Sequence, residues 1–377
     1  MNRIVKEVNA LFNHNKSHYI KNIRADFPIF NFRRYKNIII FGAAYAGNVF
    51  FELCKKNAIK VTAVCDNDPK KIDTFFNGVK IVSIKELQKY PKSTPIVVTI
   101  MHDYIVRDQL NALSFFNVWS HAYFSVVYPG KFDNHNFPNS VDEILKSKKK
   151  ILSTLDLFND LKSKQTFLEM IKYRLTLKIE GLKKIAEPIR QIYFSPGLIN
   201  LNKDEVFVDG GAYFGDTIAP FLKYSKNNFK KILAFEPDGI SFKLLSNYVS
   251  GLKDQRISIF HNALGKKNKW IKFNFQNTAG SRSNKYGKNK IKVVSLDSLI
   301  RYKPTLIKLD IEGSESEAIS GAKKILRKYK PKLAVCVYHK PEDLWSLPNQ
   351  IKFLNPAYKL FLRQHSISLH DTVCYAI

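Results

Sequence analysis

The 377-residue sequence predicts an α/β protein built on two mostly parallel sheets with a helical segment between them. Three observations predict it. At two distant places an apolar run breaks into a glycine turn and then a helix, strands and helices alternate after each, and the stretch between shows helical spacing. The length suits two domains, and a 45% hydrophobic content lets each half bury a core of its own.

Residues 1–35 read as a helical lead-in ending near Pro28. Ile38, Ile39, Ile40 and Phe41 then form a β-rich run that passes through Gly42, Ala43 and Ala44 into a helix containing Gly47. The strand KVTAVCDND ends at Asp66, IVSIKEL supplies a strand and a helix, and TPIVVTI another strand. Elements of this length in alternation imply parallel strands with right-handed crossovers, which defines a first domain over 36–128.

A helical connector covers 129–200. Ser140 and Glu143 have the spacing of a capping box. Leu145, Leu152, Leu155, Phe158 and Leu161 recur at roughly helical spacing, with Lys148 to Lys150 as a solvated face. The second domain, 201–377, has strands at Val206–Asp209, Ile232–Glu236, Ile257–His261, Leu306–Asp310 and Leu333–His339. A helix between the second and third places Phe242, Leu245, Val249 and Leu252 on one face, and WIKFNF with IKVVSL forms a hairpin ahead of LIKLDIEG.

The formal charge of +29 would concentrate anionic partners. The lysines are spread along the chain and arginine, the better base reader, is scarce. That argues against specific nucleic-acid binding and leaves anionic small substrates, peripheral contact with an acidic membrane, or a lysine-filled surface. No run approaches the ~20 apolar residues that span a bilayer, and the N-terminus has no export signal. The four cysteines, Cys54, Cys65, Cys336 and Cys374, are scattered. Reduced thiols in a cytoplasmic protein are the expectation, with homo-oligomerisation open.

The chemistry concentrates in the second domain. After the strand ending at Asp209, Gly211 and Gly215 lack the side chains that would keep a ligand from the backbone, and Asp216 and Thr217 open a helix whose N–H groups would face it. Glu236, followed by Pro237, ends the next strand about 20 residues on, where an acid takes both hydroxyls of a ribose. At the end of the chain, Tyr358–Leu362 and Asp371–Ile377 are joined by too few residues for a parallel crossover, so the last strand must be antiparallel. A mostly parallel sheet closed in this way is the class I methyltransferase arrangement, a Rossmann-like variant that differs from the sheet of nicotinamide enzymes.

From Tyr193 to Ile377 the sequence resembles the FkbM-type methyltransferases. The matching stretches are VFVDGGAYFGDT, AFEPD, NALG at 262–265, SLDSL, LIKLDIEGSESEAISGA at 306–322 and VYHKPEDLWSLP. The resemblance implies S-adenosylmethionine as methyl donor, held by Asp209, Gly211, Tyr213, Gly215, Asp216, Thr217, Glu236, Pro237, Asn262 and Ala263. Tyr213 departs from the family, which often has a short polar residue there, and its ring would narrow the pocket. Family members typically methylate hydroxyls of sugars or polyketide-like compounds. The implied reaction is O-methylation of a sugar hydroxyl, on a nucleotide sugar or a surface-polysaccharide or capsule precursor. N-methylation of an amine and an inactive binding module are the alternatives.

A sulfonium carries an activated methyl group, so the protein must align the acceptor and remove its proton. Asp310 and Glu312 end one strand and His339 the next, which places them at one crevice. His339 is the expected general base because its ordinary pKa suits neutral pH. Asp310 or Glu312 would orient it or the acceptor, and Lys308 would meet an anionic group. A metal-free reaction is favoured over one with Mg²⁺ bridging Asp310, Glu312 and the acceptor hydroxyl. Glu312 and Glu315 could also cap the following helix.

In the first domain, Gly42, Gly47 and Asp66 form a second nucleotide or sugar candidate. The pattern resembles Rossmann-like modules attached to bacterial sugar-modifying enzymes. A nucleoside diphosphate sugar or a glycan would suit the basic charge, a structural or dimerising role is the alternative, and NAD is disfavoured because the middle glycine of its motif is missing.

Overall fold

The computed structural model describes residues 2–32, 34–132, 141–273 and 289–377, and two α/β sheets organise it. The chain opens with α1 (Asn2–Leu11) and α2 (Lys16–Ala25), the latter capped by the Asn15 side chain, which accepts from the His18 N–H. Then follow β1 (Asn37–Phe41), α3 (Tyr45–Lys56), β2 (Lys60–Cys65), β3 (Phe75–Phe76), β4 (Val79–Val82), α4 (Ile84–Leu87), β5 (Ile96–Val98), α5 (Asp103–Ala112), β6 (Val118–Ser120) and α6 (His121–Val127). The strand order is β3-β4-β2-β1-β5-β6, parallel throughout except for β3 at the edge. Helices cover both faces, which is why Ile38, Ile39 and Ile40 are all buried.

The connector contains α7 (Val141–Lys146), α8 (Lys148–Leu157), α9 (Leu161–Thr176) and α10 (Glu180–Ile185). The expected capping box falls on Ser140, outside the described residues. The single amphipathic stripe from Leu145 to Leu161 is not one helix. The backbone turns extended at Phe158, which bridges to Leu360, and Asp160 caps α9 by accepting from the Ser163 N–H. Leu161, expected in the stripe, is therefore 65% exposed, whereas Leu155 and Phe158 are buried. Pairing with the second sheet outcompetes helix continuation here. Arg363 fastens the same junction, with ion pairs to Asp160 (2.6 Å) and Glu187 (3.3 Å). One apolar cluster runs from Val8 through Trp119, Phe167 and Met170 to Leu309 and Leu362.

The second sheet comprises β7 (Val206–Gly210), β8 (Lys231–Phe235) and β9 (Ile257–Phe260), with α11 (Ile218–Tyr224) and α12 (Gly239–Leu252) as crossovers. After β10 (Ala263–Gly265), β11 (Lys269–Phe273) and β12 (Asn289–Ser295), it continues through β13 (Leu306–Leu309), α13 (Glu315–Ser320), α14 (Lys323–Lys328), β14 (Lys332–Cys336), α15 (Asp343–Leu354), β15 (Leu360–Gln364) and β16 (Thr372–Ala376). Its order is β15-β16-β14-β13-β7-β8-β9, with β16 antiparallel to both neighbours as the short final connection requires. β11 and β12 form the expected hairpin, and β10 joins it as a third strand. On α12, Leu245 is buried, but Leu252 stands at the helix end and is exposed rather than packed. β14 stops at Cys336, so His339 lies three residues past the strand that was expected to carry it. Among the described residues no helix is long and apolar enough to cross a membrane, and the four cysteines are buried free thiols.

At Gly211 the tips of β7 and β13 meet. Its φ is +77°, and a Cβ there would stand 1.9 Å from the Asp310 carbonyl oxygen. Gly211→Ala is expected to destabilise the protein by about 2–4 kcal/mol, from left-handed strain plus overpacking. Gly251→Ala, in α12 with no atom within 4 Å of its Cβ, should gain about 0.5–1 kcal/mol. Urea denaturation of the two variants checks this, and equal midpoints would contradict it.

Candidate active site

A cavity of about 450 Å³ opens at the carboxyl ends of β7, β8 and β13, where open α/β sheets take their ligands. Gly211, Tyr213, Asp216, Thr217, Glu236, Pro237, Asn262, Ala263, Lys308, Asp310 and Glu312 all line it. Three of the expected residues do not. Asp209 is wholly buried behind the wall, in an ion pair with Lys308 Nζ at 3.1 Å. Gly215 makes room for a neighbour, since a Cβ there would come within 2.5 Å of the Tyr248 ring. His339 sits beside the cavity, among carboxylates.

Glu236 closes the turn after β7. Its Oε2 accepts from the Tyr213 N–H at 2.9 Å and its Oε1 from the Asp238 N–H at 2.8 Å. Burial pushes its carboxyl up to about 7, and burial likewise lifts Asp209 to about 6 against the pull of Lys308. Tyr213 itself holds a φ of +46°, unusual for an aromatic residue, with its ring against Phe214.

Lys308 does not reach out to an anionic ligand as expected. Its ammonium donates to the carbonyls of Gly211 (2.6 Å) and Gly210 (3.1 Å). Burial works against that charge, but Asp209, Asp310 and Asp216 outweigh it and hold the group protonated.

Asp310 accepts from the Tyr193 hydroxyl at Oδ2 (2.7 Å) and from the Tyr338 hydroxyl at Oδ1 (3.2 Å), and His339 Nε2 lies 3.3 Å from Oδ1. Burial would raise its pKa, yet Lys308, His339 and the Tyr193 hydroxyl hold it below the usual carboxylate value. His339 Nδ1 faces Glu315 Oε1 at 3.0 Å, and Nε2 also faces Glu312 Oε2 at 3.9 Å. Burial alone would lower the imidazole, but Glu315, then Glu312 and Asp310, lift it to about 10. With a carboxylate at each nitrogen and no face on the cavity wall, His339 lacks the neutral, accessible imidazole on which its reading as a general base rested. Glu315 stands in the first turn of α13, where an acid favours the helix dipole. Its Oε1 makes no cap to the helix and instead accepts from the Ile311 N–H, pinning the turn before it.

Sequence reasoning missed Tyr193, Tyr338 and Lys340, and gave Glu315 only a place at the helix start. Tyr338 neighbours His339, and strand alternation would have aimed one of the two at the crevice. Tyr193 comes from the connector, and only its aromatic place just before a Ser-Pro-Gly turn hinted at it.

In the first sheet Gly42, Gly47 and Asp66 also converge. Asp66 accepts from the Ala43 and Asp68 N–H groups (2.8 and 2.9 Å) and pairs with Lys71 at 3.1 Å. A Cβ on Gly47 would stand 2.0 Å from the Gly42 carbonyl oxygen, so that glycine serves helix packing.

Residues 209–364 match the family model described as methyltransferase FkbM domain, and residues 34–115 the one described as C2185-like, N-terminal. No curated protein matches the chain. Among solved structures, a methyltransferase FkbM from Methylobacillus flagellatus KT aligns over 98% of this chain and 99% of its own, with a TM-score of 0.75 at 23% identity. That likeness gives the fold of nearly the whole chain. An rRNA methylase from Streptococcus thermophilus (47% of this chain, 87% of its own, TM-score 0.31, 15% identity) overlaps too loosely to argue from. The same holds for a SAM-dependent methyltransferase from Aquifex aeolicus (53% and 97%, TM-score 0.32, 13% identity). Residues 209–364 thus match a methyltransferase FkbM domain, and the sheet that carries them is class I-like.

Proposed function

We propose that this protein is a methyltransferase that moves the methyl group of S-adenosylmethionine to a sugar hydroxyl. The observation that carries the donor is a charge inversion. On a chain of formal charge +29, the cavity wall has Asp216, Glu236, Asp310, Glu312 and Glu317 against only Lys308 and Lys340, and Lys308 is already paired with Asp209. Such a wall favours a sulfonium and an ammonium and opposes the pyrophosphate of a dinucleotide. Glu236 takes the ribose hydroxyls, Phe235, Pro237 and Ala263 flank the adenine, and the backbone at Gly211 admits the amino-acid end.

Glu312 is the proton acceptor in this reading. It lines the cavity with 26% of its side chain exposed, in a turn where its φ is +56° and Gly313 follows at +90°. Asp310, already engaged by two tyrosine hydroxyls, orients the acceptor instead. The resemblance to FkbM enzymes supports a sugar acceptor, in the form of a nucleotide sugar or a polysaccharide precursor in the cytoplasm. The basic exterior would hold the phosphate groups of such an acceptor outside, so that only its sugar enters the acidic cavity.

Glu312→Gln should retain donor affinity while turnover falls by about 10²–10⁴, the usual contribution of a positioned base. Single-turnover transfer of labelled methyl to a nucleotide-sugar panel checks this, and unchanged turnover would remove Glu312 from the mechanism. Donor affinity should also rise from pH 6 to pH 8. Below its pKa of about 7 Glu236 is neutral and gives up one acceptor site, whereas above it the carboxylate accepts from both ribose hydroxyls and attracts the sulfonium. Calorimetry should show that rise, and a flat profile in Glu236→Gln; no donor heat at either pH would contradict the proposal.

A further inference from the structure

Beside the cavity, one atom each from Asp310, Glu315 and His339 lies within 4.8 Å of the others. Adjacent ligands on one divalent ion, with bonds of about 2.0–2.2 Å, stand roughly 3.0–3.5 Å apart. His339 offers one ring nitrogen to an ion, and with Nδ1 as that atom the contact to Glu315 Oε1, 3.0 Å, falls in that range. A second observation points the same way. Glu315 is 1% exposed, and while its Oε1 accepts from the Ile311 N–H, its Oε2 is buried with no hydrogen-bond partner among the described residues. A buried carboxylate oxygen without a donor is costly, and a cation satisfies it.

We propose that Asp310, Glu315 and His339 bind a divalent first-row transition ion. One imidazole with two carboxylates is a mixed nitrogen and oxygen set, which suits Mn²⁺, Fe²⁺ or Zn²⁺ better than the all-oxygen preference of Mg²⁺. The ion replaces the proton that the imidazole otherwise shares with its carboxylates. Asp310 belongs also to the cavity wall and keeps 24% of its side chain exposed, so a coordination position faces the acceptor. An acceptor hydroxyl bound there loses its proton more readily, and Glu312, 3.9 Å from His339 Nε2, receives it. This role, though not the binding of the ion, rests on the methyl-transfer reading above.

The test titrates Mn²⁺ into the full chain after removal of metals with a chelator, reading free Mn²⁺ by electron paramagnetic resonance. One equivalent should bind. Glu315→Gln should weaken it by at least about tenfold. Asp310→Asn, at a partly exposed side chain, should do the same where the buried substitution impairs folding. Glu236→Gln, outside the three-residue set, should leave Mn²⁺ uptake unchanged. Absence of saturable uptake, or uptake indifferent to both ligand variants, overturns the proposal. Donor calorimetry on the same samples keeps the two claims apart: donor heat without Mn²⁺ uptake removes the ion alone, and Mn²⁺ uptake without donor heat supports the ion while removing the donor.

Discussion

The buried ammonium of Lys308 holds the active site in shape. It sits in the middle strand of the second sheet, binds the carbonyls of Gly210 and Gly211 at the tip of β7, and pairs with Asp209 beneath them. A charge buried this deeply is stable only with near-complete satisfaction, and removing either partner would strand the other. The consequence is geometric. The glycine turn and the Asp310 turn are fixed against each other closely enough that only glycine fits at 211. Everything that lines the cavity from β7 and β13 inherits its position from that contact.

The cavity's acidity follows from where the strands end. The ends of β8 and β13 contribute Glu236 and Asp310, Glu312 follows in the next turn, and the sheet gathers them into one crevice, with Asp209 and His339 behind its wall. Burial raises Glu236 and Asp209, while Lys308 and His339 hold Asp310 below its ordinary value, so these acids ionise over different pH ranges. The first sheet uses the same turn device. Asp66 at the end of β2 accepts from the turn after β1 and from the residue two places on, as Glu236 does in the second sheet. The likeness is architectural, because Asp66 is also neutralised by Lys71, whereas no basic side chain closes on Glu236 at ion-pair distance among the described residues.

Much of this was legible in the sequence because local pattern and topology agreed. The β-branched run at Ile38–Ile40, the Gly211 turn, Glu236 at a strand end and the short final connection each impose one geometry, and the fold contains all four. What was not legible depends on contacts between distant segments. The stripe from Leu145 to Leu161 breaks because Phe158 pairs with Leu360. Lys308 was read as reaching outward because nothing in its neighbourhood announces two inward carbonyls. His339 was read as a neutral base because the three acids around it come partly from a turn whose fold pattern alone does not specify. Tyr193 reaches Asp310 across 117 positions of chain.

The central claim is that an acid-walled crevice at the tips of β7, β8 and β13 receives a sulfonium nucleotide. A crystal structure of the chain with S-adenosylhomocysteine tests it most directly. The ribose hydroxyls should lie on Glu236, with the amino-acid end over Gly211 and the sulfur directed toward Asp310 and Glu312. Density for the ligand outside this crevice, or a nicotinamide dinucleotide within it, would contradict the account.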